Sequence, residues 1–374
     1  MDRFREDIYA RRMAQSRTAV VETPASLGFS MPAEWETHAA TWLARPNHPT
    51  DWPDKLDTIR WVYTEILRKI TQGETVRLLV NSAKDEAGAR RYLTRAGVDE
   101  RRVEFILHPT NRSWTRDSGP LFVRRCVENQ LETAIVHFHF NAWAKYPDWR
   151  KDRRVPETAA RHLHKRLFDT QANRRPFVLE GGGIEVNGRG TLITTEECYL
   201  SRKKQIRNPG LGRNAFETGL RENLGVTNIF WLGNGIAGDD THGHVDDLCR
   251  FVNAKTVVLI REENPKDVNY RPLAENWERI QDLRLEDGTR PEIVALPMPA
   301  ALTFEGERLP ASYANFYISN AAVLVPTFND PNDRIALGIL ADLFPDRSVV
   351  GIHAVDLVLG FGTVHCLTQQ QPAE

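Results

Sequence analysis

"YANFYISNAAVLVPTFNDPNDRIALGILADLFPDRSVVGIHA", residues 313–354, carries a hairpin, a helix and a strand in succession. The first segment is a β-branched and aromatic run, "DPNDRIALGILADLF" keeps helical spacing, and "SVVGIHA" has the length of a buried strand. The same order recurs upstream. "VDDLCRFVNAKTVVLI" precedes a helix over 273–283 and the strand "EIVALPMP". "GIEVNGRGTLITT" is expected to turn at Asn187-Gly188 as a type I′ pair, before a helix N-capped by Asn214 and the strand "NIFWLG". "GPLFVRRCVENQLETAIVHFHF" turns at Glu128-Asn129 and leads into a helix over 156–168 and the strand "PFVLE". A helix over 54–70, with Leu56, Ile59, Tyr63, Ile66 and Ile70 on one face, feeds the strand "ETVRLLVNS", and an extra helix and strand occupy 84–108. About five such units without a linker favour one closed, radially arranged α/β domain over a two-domain doubly wound protein.

At 374 residues and 41% hydrophobic content the chain can bury a sizeable core. Its 49 basic and 50 acidic residues leave a net charge of -1, so no global field favours nucleic acid or an anionic membrane. The basic segment 145–166, despite its aromatics, reads as a solvated helix face rather than a nucleic-acid site. Cys126, Cys198, Cys249 and Cys366 form no CxxC pair, which argues against a zinc ribbon and against a disulfide scaffold. Residues 1–28 are charged, lack the apolar core of a signal peptide and are expected to form a mobile extension ahead of a catalytic domain over 29–374. No stretch approaches the ~20 apolar residues needed to span a bilayer, and the cytoplasm is the expected compartment.

The repeat locates the chemistry. Four unusual loops follow the last strands of successive units: "NRSWTRDSGP" with Asp117, "LEGGG" with Glu180, "GDDTHGHVDD" with His244 and Asp246, and "LGFGTVHC" with Cys366. Arranged about an axis, they would converge. Each has a plainer reading: a buried cysteine is usually inert, the glycines make a turn, Trp114 is core, and His242, His244 and Asp246 are either an acidic surface loop or metal ligands. Together they say more. Cysteine with histidine is the equipment of covalent catalysis, while three carboxylates beside it oppose an oxyanion and suit a cationic electrophile. A guanidinium is such an electrophile: planar, paired bidentately by carboxylates and able to stack on Trp114.

These loops carry a specific resemblance. "MPAEWETHAATWLARP", "WTRDSGP", "LEGGGIEVNGRGTLITTEEC", "DDTHGHVDDLCRFV", "LPASYANFYISNAAVLVPTF" and "HCLTQQQP" resemble, in order from about residue 30 to the end, the motifs of the agmatine deiminase and bacterial peptidylarginine deiminase family within the guanidino-group-modifying superfamily. The resemblance implies a single-domain, pseudo-symmetric five-bladed α/β propeller, the pentein fold. It also implies Cys366 as nucleophile, His244 as proton carrier, Asp117 and Asp246 as the guanidinium grip, Glu180 orienting His244 or sharing the grip, and Trp114 lining the substrate pocket. The implied ligand is a small guanidino compound, agmatine before free arginine, peptidylarginine or another alkylguanidine, with no metal or organic cofactor and a homodimer or homotetramer as the assembly. Two departures bear on substrate. Where the family reads close to "GGGNIHC" this chain has Phe361 and Thr363, assigned here to the mouth of the substrate site. Where the family tends to "HVDN" it has Asp247, an added charge. A metallohydrolase using His242, His244 and Asp246, and a non-catalytic binding module, stay open beside this reading.

Overall fold

A computed structural model describes residues 22–374. Most of the 1–28 extension therefore lies outside the described residues; its last part makes a short turn at Ala25–Leu27. Among the described residues, five sheets share one pattern, a central strand paired antiparallel on one side and parallel on the other. Their central strands are His38–Ala44, Gln130–His137, Thr191–Thr195, Ala322–Thr327 and Thr256–Arg261. In four sheets the antiparallel neighbour precedes the central strand: Leu121–Val127, Glu185–Val186, Cys249–Asn253 and Tyr317–Ile318. The parallel neighbours are Leu167–Asp169, Asn228–Leu232, Glu292–Pro297 and Ser348–His353. In the remaining sheet Thr75–Val80 is the parallel neighbour, Val103–Leu107 adds to it, and the antiparallel neighbour comes from the other end of the chain, Thr368–Pro372.

Each parallel pair needs a crossover, and helices supply it. Leu56–Ile70 buries Ile59, Tyr63, Ile66, Leu67 and Ile70, the face its periodicity marks. Pro331–Leu343 starts on a capping box, Asp330 and Asp333 each accepting from the other's end of the first turn, with Pro331 where no N–H is needed. Tyr270–Ile280 matches the helix predicted over 273–283 to within a turn.

Three local expectations are corrected. The helix Arg213–Leu224 is preceded by Gly212, so Asn214 lies inside it rather than capping it. The Asn187-Gly188 pair makes no I′ turn: of the two only Gly188 has positive φ, and the Asn187 side chain closes a longer loop by accepting from the N–H groups of Arg189 and Thr191, both at 3.0 Å. Of "PFVLE" only Pro176 lies in a strand, the two-residue Arg175–Pro176 paired with Gln171–Ala172; Val178 makes an isolated bridge with His139, and the parallel strand of the unit is Leu167–Asp169. The hairpin at Glu128-Asn129 forms as expected, both residues left-handed.

Candidate active site

Five loops, each entered from the parallel edge of one sheet, bring the site together. The first carries a four-residue turn, Thr115–Ser118, which holds Asp117. Asp117 Oδ2 accepts from Trp143 Nε1 at 2.9 Å and Oδ1 from the backbone N–H of Gly182 at 3.1 Å. The second is the glycine turn Gly181–Gly183 beside Glu180. Its glycines serve close approach rather than positive φ: a Cβ on Gly182 would lie 2.6 Å from His244 Nδ1, 2.9 Å from Asp117 Oδ1 and 3.0 Å from Asp246 Oδ2.

The third loop is shaped by Asp239, whose Oδ2 accepts from the N–H groups of Gly243 and His244 at 2.6 and 3.1 Å, presenting His244 and Asp246 inward. His244 Nε2 faces Glu180 Oε2 at 3.4 Å. Its Nδ1 lies 3.8 Å from Asp117 Oδ1 and 3.9 Å from Asp246 Oδ1. Both Nδ1 and that Asp246 oxygen are buried without a hydrogen-bond partner among the described residues. Arg207 Nε meets both Glu180 oxygens at 3.2 Å.

The last loop ends in the turn Val364–Leu367 and sets Cys366 Sγ 3.7 Å from Asp246 Oδ2. Sequence reasoning missed the remaining loop, which supplies Asn315. Its Nδ2 lies 3.1 Å from Cys366 Sγ and donates to Asp247 Oδ1 at 3.0 Å; its Oδ1 accepts from Thr363 Oγ1 at 2.7 Å and His365 N at 3.1 Å. The signal was present: the loop after "EIVALPMP" stands where every other unit contributes a group, and "LPASYANF" carries the asparagine.

Cys366 and Asp117 line a pocket walled by Trp114, Trp143, Tyr146 and Phe361. His244, Asp246 and Glu180 are fully buried behind them. Trp114 is fixed by its Nε1 donation to Asp51 Oδ2 at 3.2 Å and by Trp52, with ring centroids 5.2 Å apart. A Cβ at Gly362 would strike both Trp114 and Cys366 Cβ. Phe361 lines the pocket as expected and does so in left-handed conformation, φ 64°. Thr363 does not reach it; buried, it braces Asn315 instead.

Electrostatics separate the carboxyl groups. Burial, with the charges of Asp246 and Glu180, pushes Asp117 up to about 6 against the pull of His244. Burial would raise Asp246 too, but the hydrogen bond and charge of His365 hold it below the usual range, as the Arg207 guanidinium does for buried Glu180. Asp247 goes the other way: burial, then the charges of Asp246 and Asp239, drive it far up, which favours its neutral form over an added charge. Burial would lower His244, yet the Asp117 carboxylate, with Cys198 and Glu180 beside the ring, holds it well above the ordinary histidine range. Burial, followed by the charges of Asp246 and Asp117, pushes the Cys366 thiol well above its ordinary range.

The metal-ligand set is not assembled as suggested. His242 turns to Glu197, with Nδ1 3.2 Å from its Oε1. Among the described residues the donors close enough to share an ion are Glu180, Cys198 and His244, and Arg207 occupies both Glu180 oxygens, so a cation there would meet a guanidinium. Of the other three cysteines, Cys198 and Cys249 are buried and Cys126 is exposed.

An α/β fold of this sheet pattern, with cysteine, histidine and carboxylates on its loops, is that of the guanidino-group-modifying pentein superfamily. Within it the chain belongs to the Porphyromonas-type peptidyl-arginine deiminase family, whose model matches residues 30–372. It is 34% identical to an agmatine deiminase of Ectopseudomonas mendocina, covering 95% of this chain and 99% of the relative. The solved agmatine deiminase of Enterococcus faecalis superposes with a TM-score of 0.86 at 32% identity, over 94% of this chain and 98% of that one. A cysteine-to-serine agmatine deiminase of C. jejuni with substrate bound superposes with a TM-score of 0.79 at 29% identity, over 92% and 96% of the two chains. No helix among the described residues is long and apolar enough to cross a membrane.

Proposed function

We propose that the chain is a hydrolase of linear amidine C–N bonds, converting agmatine to a ureido product and ammonia. The observation that carries this reading is Cys366 Sγ 3.7 Å from Asp246 Oδ2 in a site whose pocket also exposes Asp117, a nucleophile between two carboxylates. That pairing is adverse for an anionic transition state and favourable for a cation. The relatives named as agmatine deiminases support agmatine as the substrate.

Bound between Asp117 and Asp246, a guanidinium supplies the positive charge that lowers the Cys366 thiol, whose proton leaves to solvent. The thiolate attacks the central carbon, forming C–S as the C=N π pair moves to nitrogen. His244, protonated at rest, gives its Nδ1 proton to one nitrogen; the C–N bond breaks, ammonia leaves and a thiouronium cation remains on sulfur. Neutral His244 then takes a proton from water and the hydroxide adds to the thiouronium carbon; collapse to C=O breaks C–S, the hydroxyl proton passes to the departing sulfur, and the ureido product leaves with Cys366 again a thiol. Glu180, held by Arg207, keeps the His244 ring turned, and Asn315 positions the sulfur. The substrate's own charge makes a cofactor unnecessary. The five sheets with their five contributing loops support a five-bladed arrangement over 29–374.

One feature favours a second substrate reading. Arg112 lines the same pocket, nine-tenths buried, paired to Asp51 and stacked 4.3 Å over Tyr146, which favours a guanidine with an anionic tail. Ureido-product and ammonia release from agmatine, arginine, arginine peptides and 4-guanidinobutyrate, with and without chelator and beside Cys366→Ala, tests both. Chelator-insensitive turnover lost in the variant is expected; silence on every guanidine would refute the reaction.

A further inference from the structure

His365 directly precedes the nucleophile, yet its ring does not enter the substrate pocket. It bridges two carboxylates: Nδ1 lies 2.7 Å from Asp246 Oδ2 and Nε2 2.8 Å from Glu34 Oε2, with all three side chains buried. Glu34 is itself fixed from several sides. Its Oε1 accepts from Arg250 Nη2 and from the Ile318 N–H, each at 2.9 Å, and its Oε2 from Arg116 Nη2 at 3.1 Å. Arg250 is completely buried and anchored to Glu185 Oε2 at 2.8 Å. Carboxylate oxygens within hydrogen-bond distance of both ring nitrogens fix its rotation, and each can accept from a ring N–H.

The consequence falls on Asp246. His365 engages only Oδ2 and leaves Oδ1, the buried oxygen without a partner, turned toward His244 Nδ1. Resting on the deiminase reading, we propose that His365, clamped by Glu34, is a positioning residue that fixes Asp246 with one oxygen free to grip the guanidinium. The nucleophile and its carboxylate partner are thereby tied through adjacent residues of one turn: Cys366 attacks and His365 aims Asp246. Arg116 extends the same tie to the other grip, since it precedes Asp117 in sequence and bonds Glu34.

Asparagine and glutamine at position 365 separate aiming from packing. The Asn amide nitrogen superposes on imidazole Nδ1 and keeps the donor to Asp246; the Gln nitrogen superposes on Nε2 and keeps only the donor to Glu34. His365→Asn should lower agmatine kcat/KM by about tenfold, and His365→Gln by about 100-fold or more with KM raised as well, because small misplacement of a gripping group is costly. Thermal midpoints of both report folding. Equal losses, or a better His365→Gln, would overturn the proposal, since a filler would favour neither or the longer chain. A measurement on the unaltered protein covers the case in which the variants do not fold: with 15N-histidine labelling, His365 should show two hydrogen-bonded ring N–H protons, and a ring protonated on one nitrogen would also overturn it. A wild type inert toward every guanidine would instead remove the reaction on which the proposal rests, while the ring measurement still decides the bridge.

Discussion

Asp246 and Asp247 are neighbours in sequence, both fully buried, and their carboxyl groups titrate in opposite directions. The difference lies in what each meets: Asp246 accepts from His365 Nδ1 at 2.7 Å, whereas Asp247 accepts only the amide of Asn315 at 3.0 Å and faces the Asp246 charge. A protonated carboxyl is mimicked by an amide. Asp247→Asn should leave kcat/KM for agmatine within about threefold of wild type, whereas Asp246→Asn should cost about 100-fold, the scale of removing one oriented electrostatic contact to the reacting group. Steady-state kinetics on the two variants decide this, and equal losses would mean that Asp247 is ionised.

The Cys366 thiol is held up by burial and by the carboxylates that are proposed to hold the substrate. Ultraviolet thiolate absorbance, taken as the difference between wild type and Cys366→Ser, should be absent at neutral pH in the free protein and appear on adding a slowly turned-over guanidinium. Thiolate already present without ligand would contradict activation by the substrate's charge.

Asp117 must be ionised to grip a cation, and its buried value is about 6. As pH falls through that value the free protein loses the charge, so kcat/KM should fall about tenfold per pH unit below 6. Bound substrate favours the carboxylate, so the acid limb of kcat should lie lower. Stability runs the opposite way: a carboxyl raised in the fold is protonated more readily there than in the unfolded chain, so this group's contribution improves as pH drops from about 6 toward the ordinary carboxylate range. A pH profile of kcat/KM flat down to 5 would remove Asp117 from the grip.

Arg112 gives a specificity test. Exchanging it for Gln removes a cation from the pocket wall, and the ratio of kcat/KM for agmatine over 4-guanidinobutyrate should rise by about tenfold. An unchanged ratio in Arg112→Gln would mean that Asp51 and Asp148 fully mask the guanidinium, which they contact from opposite sides.

Hairpin, helix and strand were legible where periodicity is local, as in Leu56–Ile70 and Pro331–Leu343. The convergence of Asp117, Glu180, His244, Asp246 and Cys366 was legible because the repeat put each at an equivalent loop. Thr363 was misplaced since its distance from Cys366 in sequence says nothing of which way its side chain turns, and Asn315 was passed over because an amide draws no attention until its partners are known. Asp247 looked like an added charge because protonation depends on neighbours from other elements, Asn315 and Asp239. The polar C-terminal tail was the least legible part of the fold. "TQQQP" has no apolar signal, but Thr368–Pro372 is a wholly buried strand whose glutamines bond across the fold.

That tail yields a stability prediction. Gln371 Oε1 accepts from Trp42 Nε1 at 3.0 Å and from Arg77 Nη1 at 2.6 Å, joining the last strand to the first two of its sheet. Trp42 is fully buried, so its indole N–H has no water to turn to, while Arg77 keeps Glu104 at 2.8 Å. Gln371→Ala should therefore cost about 1–3 kcal/mol, most of it from the stranded indole donor. Trp42→Phe removes that donor, so in the Trp42→Phe background the same exchange should cost markedly less. Denaturant unfolding of the four proteins measures the coupling. Because the strand begins two residues after Cys366, loss of activity in Gln371→Ala should follow the unfolded fraction, with kcat unchanged where the protein is fully folded; a fall in kcat under those conditions would mean that the strand also sets the position of the sulfur.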